Sequence, residues 1–171
     1  MSIPSSPLAE SDLITKRLVL RPWSADDIAA VLEHRRMAHW ADDFPAEGDA
    51  VIAGVIADGP LRPEPHHRII VERHHGLAVG SISLLWPPSD DSAVELGYGV
   101  VPSRRGRGYA SEAARAMIGL AMTSPHVVAV CAEVERTNPA SARVLLNAGM
   151  RRCGEDSTRI RYRTATSGRS V

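Results

Sequence analysis

The apolar positions of this chain change period several times, and each change marks an element. Starting at Leu13, "LITKRLVLRPW" sets Leu18 and Leu20 against Arg17 and Arg21. That is the two-residue alternation of a half-buried strand, and Pro22 stops it because proline cannot donate to a ladder. Ser24, followed three residues later by Asp27, makes a capping-box pattern ahead of "IAAVLEHRR" and predicts a helix. A second helix is predicted from Ala46 to Asp58, where Val51, Ile52, Val55 and Ile56 make one apolar stripe and Gly59-Pro60 ends it. His39, Trp40 and Phe44 fall in the join between these helices. After "PLRPEP", the runs "HHRIIVER" and "LAVGSISLLW" flank "HHG" and read as an antiparallel hairpin. "SAVELGYGVV" reads as a further strand, closed by Pro102.

The helical period is clearest from Ser111 to Thr123, where Ala114, Met117, Ile118 and Ala121 recur at helical spacing and Ser111 stands at the start. "HVVAVCAEVE" is a continuous β-branched run, the pattern of a buried strand. Asn138 then opens "NPASARVLLNAG" as a helix cap, with Pro139 at the first helical position and Gly149 at the C-terminal cap. The remainder, "MRRCGEDSTRIRYRT", reads as two short strands around a "GEDS" turn. The order β, α, α, β, β, β, α, β, α, β, β implies an α+β domain around a mixed sheet. A length of 171 residues suits one such domain, with residues 1–12 and 164–171 expected to be loosely held.

Charge and composition narrow the function classes. Twenty basic and twenty acidic side chains cancel, so no global field points to nucleic acid or an anionic membrane as the main partner. Any basic function must be local. The two cysteines, Cys131 and Cys153, form neither a metal pair nor a disulfide framework, which fits a reducing cytoplasm. The first residues lack a signal-peptide pattern, and no apolar run is long enough for a membrane span. The doublets His66-His67 and His74-His75 lack the i, i+4 spacing of a helical zinc site, so no metal is expected.

The chemistry concentrates in "SRRGRGYASEAAR", residues 103–115, between a strand and a helix. There, Gly106 and Gly108 free successive N–H groups to point into one concavity at a helix start, where unpaired donors and the helix dipole favour an anion such as a diphosphate. Arg105 and Arg107 add forked donors suited to phosphate oxygens. A P-loop is excluded because no lysine is near. The dinucleotide pattern is approached by Gly106, Gly108 and Ser111, but the third glycine is missing. An arginine-glycine segment for nucleic acid would lie in disordered sequence with interleaved aromatics, unlike this one.

A third phosphate motif fits. Arg105-Gly106-Arg107-Gly108-Tyr109-Ala110 resembles the Gln/Arg-x-x-Gly-x-Gly/Ala signature of the GNAT superfamily of N-acetyltransferases. A preceding strand with a glutamate ("VELGYGVV"), a long helix and a strand fall in the expected order. So does "NPASARVLLNAGM", which resembles the superfamily's N-x-x-S segment with Met150 in place of the usual Phe. The opening "LITKRLVLRPWSADD" resembles the branch containing the ribosomal-protein N-terminal acetyltransferases. The resemblance spans roughly residues 13–163 and implies a mixed, mostly antiparallel central sheet flanked by helices.

It also implies acetyl transfer from acetyl-CoA to an amine, a protein N-terminus or a small molecule, by direct attack. The diphosphate would be held by the backbone of Arg105, Gly106, Arg107, Gly108, Tyr109, Ala110 and Ser111, and Asn138 would join it. Pantetheine would pair with the strand near Gly99, Val100 and Val101, where a bulge at the glycines is expected. An amine must be neutral to attack, so a base is useful at neutral pH. Glu95 matches the superfamily's glutamate, and alternation puts it on the side of Gly97 and Gly99, where burial would raise its pKa. Ser141 matches the N-x-x-S serine and would donate a proton to the leaving thiolate. His39, Trp40 and Phe44 would wall the acceptor site. The resemblance allows a homodimer. A catalytically silent acyl-CoA-binding module is the alternative, since it needs the turn but not Glu95.

Overall fold

A computed structural model describes residues 11–59 and 66–165. Eight strands form one sheet: β1 (Leu13–Ile14), β2 (Leu18–Pro22), β3 (His67–Glu72), β4 (Ala78–Leu85), β5 (Ala93–Val100), β6 (Ala129–Glu135), β7 (Arg151–Glu155) and β8 (Arg159–Arg163). Their spatial order is β1-β2-β3-β4-β5-β6-β8-β7. Every neighbouring pair is antiparallel except β5 and β6. The helices are α1 (Ala25–Leu32), α2 (Glu47–Ala57), α3 (Tyr109–Met122) and α4 (Pro139–Asn147). This is the expected α+β class, and among the described residues no helix is long and apolar enough to cross a membrane.

The helices cover opposite faces of the sheet. Ser81 faces the same side as its partner Gly99 and hydrogen-bonds Asp49 of α2, while Tyr98, one residue before Gly99, faces the other side and bonds Ser141 of α4. α3 packs on β2, β4, β5 and β6 through a buried stripe of Ala113, Ala114, Met117, Leu120 and Ala121. Caps fix the helix starts as the sequence implies. Ser24 Oγ accepts from Asp27 N, Asn138 Oδ1 accepts from Ser141 N, and Pro139 opens α4. Gly149 sits at φ +91, the left-handed conformation a helix stop commonly requires.

Four sequence expectations change. The first strand is two, because Thr15 closes a turn on Leu18 (Thr15 N to Leu18 O, 2.9 Å) and folds β1 back on β2. Half of the predicted stripe of α2 turns outward: Val51 and Val55 are 60% and 52% exposed, while Ile56 is buried and Ile52 packs against the core, beside buried Asp49 and Ala53. The Asp49–Ser81 bond of 2.5 Å rotates a polar residue inward, which hydrophobic periodicity cannot register. α3 begins at Tyr109 with Gly108 as its cap, so Ser111 lies inside the helix and is buried. Finally, β4 and β5 run in unbroken register from Gly80–Val100 to Leu85–Glu95, so no bulge interrupts Gly97 or Gly99. Register shifts lie elsewhere, between β3 and β4 at Ile70/Val71 and between β7 and β8 at Arg152/Gly154.

Candidate active site

The sheet opens where β5 and β6 part. They pair in parallel only at Ala93–Ala129, Val94–Val130 and Glu95–Cys131, yet β5 continues to Val100 and β6 to Glu135. Past Glu95, β5 is bonded to β4 alone, and its other edge borders a wedge-shaped gap. The Val101 amide donates to Val79 O at 2.9 Å, so alternation along an antiparallel strand turns the peptide groups of Gly97, Gly99 and Val101 towards β4. Those of Tyr98 and Val100 face the gap. This corrects the expected contact set, because the Val101 amide already serves the sheet.

The strand delivers the chain into the turn at the mouth of this gap. Gly106 and Gly108 sit at φ +77 and +80, a region that costs an L side chain about 1–2 kcal/mol. The α3 ladder starts with Glu112 N donating to Gly108 O, which leaves the amides ahead of it without intrahelical acceptors. The turn is clamped from outside. Arg17 donates through Nε to Glu112 (2.7 Å) and through Nη1 to Arg107 O (2.7 Å). Tyr109 donates to buried Glu72 (2.8 Å), to which Arg104 also donates (3.1 Å). Burial pushes the Glu72 carboxyl up, but the Tyr109 and Arg104 donors outweigh it and hold the pKa below the usual range. Asp43 accepts from the amide and hydroxyl of Ser103. Tyr109 is thus a fastening residue, and Arg105 is partly committed, since its Nε donates to Val100 O at 2.9 Å. Glu72, Glu112 and Arg17 went unsingled in the sequence because their partners lie far along the chain.

Glu95 lies at the point of divergence, on the face shared by Gly97 and Gly99. It is exposed, contrary to the expectation of a buried carboxylate. A Cβ placed at Gly97 or Gly99 would meet no atom within 4 Å, so the surface beside Glu95 is an open floor. Across from it, Ser83 pairs with His67 (2.8 Å) and Ser81 with Asp49. Cys131 is the Glu95 partner on β6, but burial, with the Glu95 charge second, pushes its thiol up and disfavours the nucleophilic thiolate.

Opposite, on the α4 side, Asn138 caps the helix and holds Ser141 in its first turn. The Ser141 hydroxyl lies 2.6 Å from the phenol of Tyr98, a residue the sequence reading passed over inside the strand. Ser111 stays apart, buried with its Oγ 3.5 Å from Val144 O.

The three residues expected to wall an acceptor site separate. Trp40 is 3% and Phe44 0% exposed, and they stack edge-to-face at 5.3 Å within the core beside Trp23. Their apolar rings gain more from burial than a loop position suggests. Of the three, His39 keeps a partly exposed ring, with Nε2 3.2 Å from Asp27 Oδ1.

The sequence matches the family described as an acetyltransferase (GNAT) domain over residues 17–151. No match was found among curated proteins. Solved structures share the fold at low identity. An acetyltransferase (GNAT family) from Bacillus anthracis superposes with a TM-score of 0.66 at 22% identity, over 90% of this chain and 97% of that one. A structure described as a putative ribosomal-protein-serine acetyltransferase from Vibrio cholerae gives 0.63 at 19% identity, over 90% and 97%. AAC(6')-Ib in complex with ribostamycin and coenzyme A gives 0.61 at 18% identity, over 89% and 94%. With a family match covering most of its length, and the glycine turn, parted strands and capped final helix in their places, the chain belongs to the GNAT acetyltransferase family.

Proposed function

We propose that this protein moves the acetyl group of acetyl-CoA to an amine by direct attack. The observation that carries the reading is the free edge of β5 leading into a turn with two left-handed glycines at a helix start. Those features fit the co-substrate: unpaired amides of residues 106–111 suit a diphosphate, and the gap-facing peptide group of Tyr98, with the Val100 amide, suits an extended amide chain. Gly99 and Val101 then shape the strand rather than bond the ligand, and Arg105 and Arg107 contribute charge at the turn.

Glu95 accepts the proton the ammonium must lose, directly or through water, since an exposed carboxylate beside an open glycine floor is reachable by a solvated amine. Ser141 lies on the other lip of the gap, suited to donate a hydrogen bond to the departing sulfur. The raised thiol of Cys131 argues against an acyl-cysteine route. For the acceptor, the opening "LITKRLVLR" supports a protein N-terminus. The neighbour solved with ribostamycin keeps small amines in the comparison. His39 is the wall residue retained for that side.

The exposure of Glu95 favours one alternative, a catalytically silent acyl-CoA-binding module. Thiol release from acetyl-CoA across a panel of N-terminal peptides, polyamines and aminoglycosides separates the two, with acetylation read as a mass shift. Turnover is expected, with Glu95→Gln lowering kcat/KM by about 10²-fold or more near pH 7 and less at high pH, the range for loss of a general base. Tight acetyl-CoA binding without turnover supports the module, whereas turnover that Glu95→Gln leaves unchanged keeps the enzyme and removes Glu95 as its base.

A further inference from the structure

A serine that stabilises the leaving thiolate must present its hydroxyl proton away from its own protein partners. Ser141 has one proton and a close partner: Tyr98 Oη lies 2.6 Å from its Oγ and 3.2 Å from its carbonyl oxygen. In such a pair the phenol is the stronger acid and so the better donor, while the alkyl hydroxyl is the better acceptor. Tyr98 stays protonated, since burial pushes its pKa up. With the phenol donating to Ser141 Oγ, the serine proton is released to a third group. The position of the pair gives that group an identity. Tyr98 stands on the stretch of β5 that has lost its β6 partner, and Ser141 is in the first turn of the helix that follows β6. Their hydroxyls therefore bridge the two lips of the gap. Glu95 lies on the opposite face of the same strand, so alternation separates the two proton-handling groups across the sheet.

Resting on the acetyl-CoA reading above, we infer that Tyr98 is a positioning residue, whose phenol bonds Ser141 Oγ so that the serine proton is presented to the coenzyme sulfur. The balance is complete: the amine nitrogen forms the C–N bond, the C–S bond breaks, and its electron pair stays on sulfur. Ser141 O–H hydrogen-bonds that sulfur, and the proton given up by the amine restores the thiol. Tyr98 changes no protonation state overall.

The test needs no acceptor. In the complex with coenzyme A, a hydroxyl aimed at sulfur stabilises the thiolate, so the bound thiol should titrate low, followed by thiolate ultraviolet absorbance against pH. Wild type is expected to titrate about one pH unit below Tyr98→Phe, the size set by one hydrogen bond to a charged group. Ser141→Ala should titrate with Tyr98→Phe, and the double variant no higher than Ser141→Ala alone. Calorimetric binding of coenzyme A and an unchanged melting temperature show that each variant remains folded. Equal midpoints in wild type and Tyr98→Phe overturn the inference. So does a further rise when Tyr98→Phe is added to Ser141→Ala, because the phenol then acts on sulfur without the serine. Failure of wild type to bind coenzyme A overturns the acetyl-CoA reading and this inference with it, an outcome distinct from the other two.

Discussion

At the scale of residues, buried charge is managed by pairing, and the pairs make stability depend on pH. Asp27 is 1% exposed; burial pushes its carboxyl up, but donors from Arg21 and Ser24 outweigh that and hold it far below the usual carboxylate range. Because its folded pKa is depressed, its contribution is present above the unfolded value near 4 and is lost as pH falls further. Arg21→Met should cost about 2–3 kcal/mol at pH 7, less than a fully buried broken pair because the Ser24 donors remain. The deficit should narrow below about pH 4, as urea unfolding across pH can show. His66 works in the same direction for another reason. Burial, with the His67 charge second, pushes it down to about 4, so above pH 6.5 it is neutral in both states, and below that the unfolded chain takes the proton first. Stability should therefore fall between about pH 6.5 and 4, by about 2 kcal/mol at pH 4.5, and His66→Phe should flatten that slope.

At the scale of elements, the site depends on how closely β4 and β5 approach before β5 leaves β6. A Cβ on Gly80 would lie 2.1 Å from the Gly99 carbonyl oxygen, a backbone atom that cannot swing aside. Gly80→Ala should force the strands apart, cost about 1–3 kcal/mol, and weaken acetyl-CoA binding by moving the edge that precedes the turn. A loss of stability with unchanged coenzyme affinity, measured by calorimetry, would detach that edge from binding. The turn itself was legible in sequence, because glycines two apart before a helix have few other uses. What holds it was not, since Arg17 and Glu72 reach it from distant parts of the chain, Arg17 binding both Arg107 O and Glu112 of α3. The same limit explains α2, whose buried side follows the Asp49–Ser81 bond rather than its valines.

At the scale of the molecule, the proposed site places the turn, Glu95 and the Tyr98–Ser141 pair around the gap where β5 and β6 part. A ligand that fills it binds only the folded state, so coenzyme A at about 100 times its Kd should stabilise by about 2.7 kcal/mol. For a chain of this size that is a rise in melting temperature of about 5–10 °C, which differential scanning fluorimetry can read. The sequence alone determined most of the elements and their order, the caps of α1 and α4 and the glycine turn, because these are set by the period of apolar positions and by conformations that a few residues accept. Only tertiary structure decided where two parallel strands part, that Trp40 and Phe44 belong to the core, that Glu95 stays in solvent, and that Tyr98 meets Ser141. Those outcomes depend on contacts between residues tens of positions apart, whose energies of burial and pairing do not exist until the sheet has closed around them.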